Sequence, residues 1–345
     1  MTSLVLTLTE TMRYKGALGQ WSWVLHRITG LGVVLFLTLH VIDTSWSVFY
    51  PQLYVEAIAT YQTPLFTIGE FGLVACVVYH ALNGLRIAVI DYKPVWWKYQ
   101  QRAAMYVLGG TVIILVPVFF LMFGHVLNFY NDPNSKFLGL IDVLRAQLPF
   151  VVGIAVAVIA ALFLSALFGL VAGKSAAPKI DALTGKRVIA MHASRIERFW
   201  WAFMRISGVI IIPLVFGHLA MMHIIQGVFD ITTAGHTVVG TDIINNSGTS
   251  VEFVADRWKY LLAGVAVWRI YDFALIALVV THGFNGLRLV LTDYTSFSPY
   301  LKRAAVYLCI IGAVVLLTLG CLALLSTIDS GALDIAKQAA ANLHQ

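Results

Sequence analysis

The sequence predicts an all-α integral membrane protein with seven transmembrane helices, arranged as two parallel three-helix repeats joined by a crossover helix. Three observations carry this prediction: seven long apolar stretches, a near-verbatim internal repeat, and basic residues confined to alternate ends of the stretches. Of the 345 residues, 59% are hydrophobic and 12% charged, against about a quarter charged in a soluble domain. The mean hydropathy is +0.83. Apolar stretches at 23–46, 66–90, 103–129, 148–172, 203–227, 260–291 and 304–326 each supply the roughly 20 residues of helix that a bilayer requires. The N-terminus, MTSLVLTLTETMRYKG, has no basic region ahead of a short apolar core, so a cleaved signal peptide is not expected.

Charge sets the expected orientation. Of 23 Lys and Arg, 17 fall in four segments: three in 13–27, four in 86–102, seven in 174–205 and three in 288–303. These are the N-terminus and every second loop, so they are expected on the cytoplasmic side and the C-terminus outside. The location implied is a cell inner (cytoplasmic) membrane, multi-pass. The net charge of +6 then reflects topology and a basic face for an acidic soluble partner. No nucleic-acid partner is needed.

The repeat gives the chain its organisation. VVYHALNGLRIAVIDY (77–92) returns as VVTHGFNGLRLVLTDY (279–294), HRITG (26–30) as MRISG (204–208), and RAAMY (102–106) as RAAVY (303–307). A histidine follows the arginine by 13 residues in each copy, from Arg27 to His40 and from Arg205 to His218. Each copy is thus three helices, 1–129 and 201–345. Three passages would invert the second copy, yet the charges place Arg27 and Arg205 on one side. The 148–172 stretch, with no charge, no histidine and no counterpart in either copy, supplies the additional crossing. It lies in a linker, 130–200, whose basic end at 174–198 contains GKSAAPK. The copies differ chiefly at 228–259, where the second has a Gly/Asn/Thr-rich insertion.

Coordinating groups inside a bilayer are costly and are functional candidates by default. Cys76, Cys309 and Cys321 lack the clustered spacing of an iron–sulfur site and read as buried thiols. Of the ten histidines, His26, His192, His236 and His344 sit at ends or in loops. His125 and His223 have no repeat partner and read as hydrogen-bonded. The remaining four pair by depth. His80 and His282 each lie six residues before an arginine, roughly 9 Å into the membrane, and His40 and His218 lie 13 residues past one, roughly 20 Å in. Each pair takes one member from each copy.

Facing imidazoles at two depths suit bis-histidine ligation of two stacked haems, making the fold a haem-binding helix bundle. Two axial histidines leave no open position, so the chemistry is electron transfer. Gly30, Gly32, Gly84, Gly208 and Gly286 allow close approach of a macrocycle or helix. The competing reading, interhelical hydrogen bonding with packing glycines, does not explain four histidines matched in depth. Haem propionates need cationic partners, and Arg27, Arg205, Arg86 and Arg288, with His26, are the candidates. Snorkelling to lipid headgroups is the alternative for these arginines.

These motifs resemble the cytochrome b membrane anchor of succinate dehydrogenase and fumarate reductase, the succinate:quinone oxidoreductases. HRITGLG and YHALNGLRIAVIDY look like its larger anchor subunit, and THGFNGLRLVLTDY like the smaller. The likeness spans both three-helix units, so the two subunits look fused. It implies that His80 and His282 ligate a proximal haem iron and His40 and His218 a distal one. That is the dihaem type with two haem b, generally associated with menaquinone. It also implies a proximal quinone site built from Ser22, Arg27, Asp293 and Tyr294. Ser22 lies four residues before His26 where the family pattern has three, and Trp23 holds that place. The implied partners are flavoprotein and iron–sulfur subunits on the cytoplasmic face, with membrane lipid and quinone. The implied role is to pass electrons from the iron–sulfur subunit to quinone, with no succinate-oxidising site on this chain.

Glu70 and Asp272 each precede their histidine by ten residues, with Arg269 one turn from Asp272. They read equally as acids passing protons to a distal quinone and as acids favoured at helix N-termini. Two rival functions stand beside the anchor. One is the haem b subunit of another membrane oxidoreductase, such as a hydrogenase or formate dehydrogenase. The other is a repeat-built transporter with histidines at its substrate site. The physiological direction, the quinone and any association of whole complexes stay open at this stage.

Overall fold

The computed structural model describes residues 18–131, 139–171, 195–227 and 229–343. The N-terminal stretch read for a signal peptide, the basic junction as far as residue 194, His192 and His344 lie outside them. The helices are α1 (Leu18–Phe49), α2 (Pro51–Tyr61), α3 (Pro64–Tyr92), α4 (Gln100–Asn131), α5 (Leu140–Ala146), α6 (Leu148–Val171), α7 (Arg195–Leu219), α8 (Ser250–Lys259), α9 (Val267–Tyr294), α10 (Pro299–Leu325) and α11 (Ser330–Leu343). Among the described residues seven of these segments, α1, α3, α4, α6, α7, α9 and α10, are long and apolar enough to cross a membrane. The chain is a multi-pass, all-α membrane protein.

The spans are apolar on every side because lipid, not water, is their solvent. Ile113, Leu170 and Val314 accordingly point outward from the bundle. Prolines start α2, α3 and α10, at the one helical turn where a missing N–H costs nothing. Two expected boundaries shift. The fifth span begins at Arg195 and not near 203, since the polar and aromatic stretch RIERFWWA prolongs the helix beyond the apolar run. The sixth begins at Val267 and not at 260. Ala263 and Gly264 take φ of 50° and 82°, and a tight Leu262–Val265 turn replaces the helix there.

Four helices, α1, α3, α7 and α9, form the centre: α1 packs on α3 and α9, and α7 on α3 and α9. They are the first two helices of each sequence repeat. The third helices, α4 and α10, flank α3 and α9, and α6 lies along α10. Ser165 of α6 donates to the Tyr300 carbonyl at 2.6 Å, and the Tyr300 hydroxyl donates to Leu162 O at 2.9 Å. The crossover helix is therefore tied to one flank.

The far end, opposite the arginine-rich one, carries a compact cap. Tyr54, Val55 and Ile58 of α2 pack with Ile231, Val238, Phe253, Trp258 and Ala336 of α11. The 228–259 insertion is thus folded, with a two-residue hairpin (His236–Thr237 with Ile244–Asn245) and α8. Thr249 Oγ1 accepts from Glu252 N at 3.2 Å, while Glu252 Oε2 accepts from Ser247 N at 2.9 Å. This reciprocal capping satisfies backbone donors that α8 cannot bond internally. Burial pushes the Glu252 carboxyl up, but the hydrogen bonds from Ser247 and Asn246 outweigh it and hold it below its ordinary value.

Thr249→Ala should therefore weaken α8 by about 1 kcal/mol, read as faster amide exchange over 250–259. The Glu252 contribution should be complete above about pH 4.3, the ordinary glutamate value, and be lost as pH falls through its lower folded-state value. Unchanged protection in acid would count against this cap.

Candidate functional site

The inner histidine pair is built the same way in both halves. His80 of α3 packs against Gly30 of α1, where an added Cβ would lie 2.8 Å from His80 Cε1. His282 of α9 packs against Gly208 of α7, where the same Cβ would lie 3.3 Å from its Cε1. His80 Nδ1 donates to the His26 carbonyl at 3.1 Å. His282 Nδ1 donates to Ser207 Oγ at 2.9 Å, and that hydroxyl spends its own proton on Phe203 O at 2.6 Å. A carbonyl can only accept, and Ser207 has no second proton, so both imidazoles carry hydrogen on Nδ1. Nε2 is then an unprotonated donor in each, the arrangement metal-binding histidines use. The His26 ring stacks on His80 at 4.0 Å.

The outer pair is His40 of α1 and His218 of α7, with ring centres 5.9 Å apart at 72°. Two imidazoles on one metal at bond lengths of about 2 Å hold their ring centres about 6 Å apart. Phe36 stacks on His40 at 5.2 Å, and His218 Nδ1 is buried without a hydrogen-bond partner among the described residues. His40 and His218 each lie ten residues beyond Gly30 and Gly208, placing the two levels about 15 Å apart along the helices. The sequence count gave less, because Arg27 and Arg86 do not mark one depth. Arg86 reaches Ser22, more than a turn nearer the helix start than Arg27.

At the arginine-rich end the repeats exchange ion pairs. Arg27 of α1 pairs with Asp293 of α9, and Arg205 of α7 pairs with Asp91 of α3 at 2.7 Å. Trp23 lies under Arg27 at 3.9 Å and Trp201 under Arg205 at 4.0 Å. Tyr294 is 5.9 Å from the Arg27 guanidinium. Arg27, Asp293 and Tyr294 therefore meet. Ser22 does not join them, since five residues turn a helix by about 140°. Its hydroxyl is buried with Tyr79, donates to Asn83 Oδ1 at 2.7 Å and accepts from Arg86 at 2.7 Å. Arg288 instead bonds Asn285 at 3.0 Å and pairs with Glu197 at 3.2 Å. Of the four expected propionate partners, Arg86 alone has no carboxylate partner among the described residues.

At the far end Glu70 pairs with His223, which sits in a π-turn (Ala220–Ile225) continuing α7. Asp272 accepts from Trp258 Nε1 at 3.0 Å. Arg269 donates to Trp258 O at 2.9 Å and Leu324 O at 2.7 Å, so it binds carbonyls and not Asp272. Sequence reading passed over Asp43, one turn beyond His40, whose buried carboxylate oxygens have no hydrogen-bond partner among the described residues. A lone acid inside an apolar run was signal enough.

The family profile for the succinate dehydrogenase/fumarate reductase transmembrane subunit matches residues 8–119 and 184–322. The chain belongs to that family. It is 42% identical over 103 residues to the succinate dehydrogenase 2 membrane subunit SdhC of Mycobacterium tuberculosis, covering 30% of this chain and 75% of that protein. It is also 32% identical over 105 residues to the succinate dehydrogenase hydrophobic membrane anchor subunit of Halobacterium salinarum, covering 29% of this chain and 80% of that protein. No solved structure matches it. Family membership decides against the transporter and the hydrogenase-type readings.

The anchor's residues fit haem. Among the described residues no three or more His, Cys, Asp or Glu side chains cluster as a protein-only metal cage would require. His40 and His218 supply two imidazoles, the number haem iron takes axially, and Gly30 and Gly208 make room for the rings of His80 and His282. The three cysteines are free thiols on separate helices or turns of helix.

The glycine contacts predict an asymmetry. Gly30→Ala forces His80 to move and should cost about 1–3 kcal/mol by overpacking, whereas Gly208→Ala needs only a slight adjustment. Thermal unfolding in detergent should rank Gly30→Ala clearly below Gly208→Ala; equal melting temperatures would count against the packing described.

Proposed function

We propose that this chain is the dihaem cytochrome b anchor of a succinate dehydrogenase, passing electrons from an iron–sulfur subunit to menaquinone. The observation that carries the reading is the pair of imidazole pairs, each drawn from both repeats, the inner one with Nδ1 committed and Nε2 free. His80 and His282 hold the proximal haem, and His40 and His218 the distal one. When bound, the haems supply one-electron carriers at two depths. Arg86, held by Ser22 and Asn83, is the propionate partner the geometry favours. Arg27, Arg205, Arg288 and His26 complete the polar end. Arg27, Asp293 and Tyr294 bind the quinone headgroup, with the arginine polarising a carbonyl and the aspartate and tyrosine delivering protons. Ser22, turned to Arg86, acts on that site only at second hand. Glu70, beside His223, and Asp272 are the proton-carrying acids of the far side.

The relatives are named as membrane subunits of succinate dehydrogenase, and from them come the expected partners, flavoprotein and iron–sulfur subunits. The basic loops support a reading with those partners on the cytoplasmic face of a cell membrane, the N-terminus inside and the C-terminus outside. The chain divides as 1–129, 130–200 and 201–345, two anchor units and a linker.

A reduced-minus-oxidised spectrum with haem quantitation on the purified complex should give two b-type haems per chain. His40→Ala should remove one and spare the other; the absence of any b-type signal would end the electron-transfer reading. Arg27→Leu should keep both haems and lower succinate–quinone turnover at least tenfold, an outcome set against unchanged turnover.

A further inference from the structure

The far-end cap buries a cation that neither the inner site nor the quinone pocket uses. Arg257, on α8, is 5% exposed. Its Nη1 donates to Val239 O at 2.8 Å, its Nη2 reaches Met221 Sδ at 3.8 Å, and its guanidinium lies over the Trp268 ring at 4.0 Å. Among the described residues no carboxylate forms an ion pair with it. Asp272, the acid close enough to sense it, is bonded to Trp258. Arg269, its neighbouring cation, is committed to two carbonyls.

The surroundings of Arg257 enclose the turn of helix that carries His218. Met221 lies three residues beyond His218. Tyr271, whose ring meets Trp268 edge-on at 5.8 Å, donates to Leu214 O, four residues before it. His40 meets the His218 ring edge-on at 5.9 Å. A guanidinium buried with no ion pair among the described residues is costly and stays charged. Its placement is explained if the group between His40 and His218 is anionic, or gains an electron.

We infer that Arg257 is the fixed counter-cation of the outer haem and holds that haem's reduction potential up. The inference rests on the dihaem reading above. Reduction adds one electron to the site, and a nearby unit positive charge in a low-dielectric interior favours the reduced form. The cap that supplies this charge belongs to the 228–259 insertion, which the first repeat lacks. The insertion therefore acts on the outer site and leaves the inner one alone.

The test is a potentiometric titration of haem absorbance on the purified complex, comparing the native chain with Arg257→Gln and Arg257→Lys. Arg257→Gln should keep two haems and shift the one-electron equilibrium of one of them about tenfold toward the oxidised form, about 59 mV. The other potential should not move, and Arg257→Lys should retain the native value. Two haems with unchanged potentials in Arg257→Gln overturn the assignment while leaving the dihaem reading intact. Loss of one haem in Arg257→Gln with its retention in Arg257→Lys supports the charge role; loss in both makes Arg257 a packing element and overturns it. One haem on the native chain removes the dihaem reading and this inference together.

Discussion

Two imidazoles that face one another at one depth of an apolar bundle cannot come from one helix, and the rest of this anchor follows from that constraint. His80 stands on α3 and His282 on α9, His40 on α1 and His218 on α7, and these four central helices pack around a shared interior. The flanking helices are then free to meet lipid. Gly30 and Gly208 lie under the inner rings, and Ser207 and the His26 carbonyl set their protonation. Each is a local choice made for the ring it touches.

The same exchange between repeats recurs at the arginine-rich end. Arg27 and Asp293, like Arg205 and Asp91, sit on different repeats, so the two ion pairs cross-link the halves in both directions. Trp23 and Trp201 cover the two guanidinium planes alike, and a rigid planar cation is what makes such stacking effective. The symmetry breaks at the next arginine. Ser22 and Asn83 hydrogen-bond Arg86, while Glu197 pairs with Arg288, because Trp200 stands at the position equivalent to Ser22. One half thereby keeps a half-buried cation with no carboxylate partner among the described residues, and the other half does not.

The far end is asymmetric for a different reason. The second repeat's insertion folds into a cap with α2 and α11, burying Trp258 and Arg257. A soluble loop of that composition would be read as irregular. Here, Thr249 and Glu252 start a helix whose apolar face, with Phe253 and Trp258, completes a core that the membrane helices begin.

The sequence by itself determined the seven spans, the repeat, the four histidines and their division into two levels. Hydropathy and helical spacing are local properties, and the repeat relates distant positions without folding them. Only the tertiary structure decided which partner each polar group takes. Arg27 and Arg205, candidate propionate partners by sequence, each meet an aspartate from the other repeat. Ser22 read as a quinone ligand until its face of α1 turned toward Arg86. Arg257 and Asp43 drew no notice, since burial and the lack of a counter-ion belong to the surroundings of a side chain and not to its place in the chain.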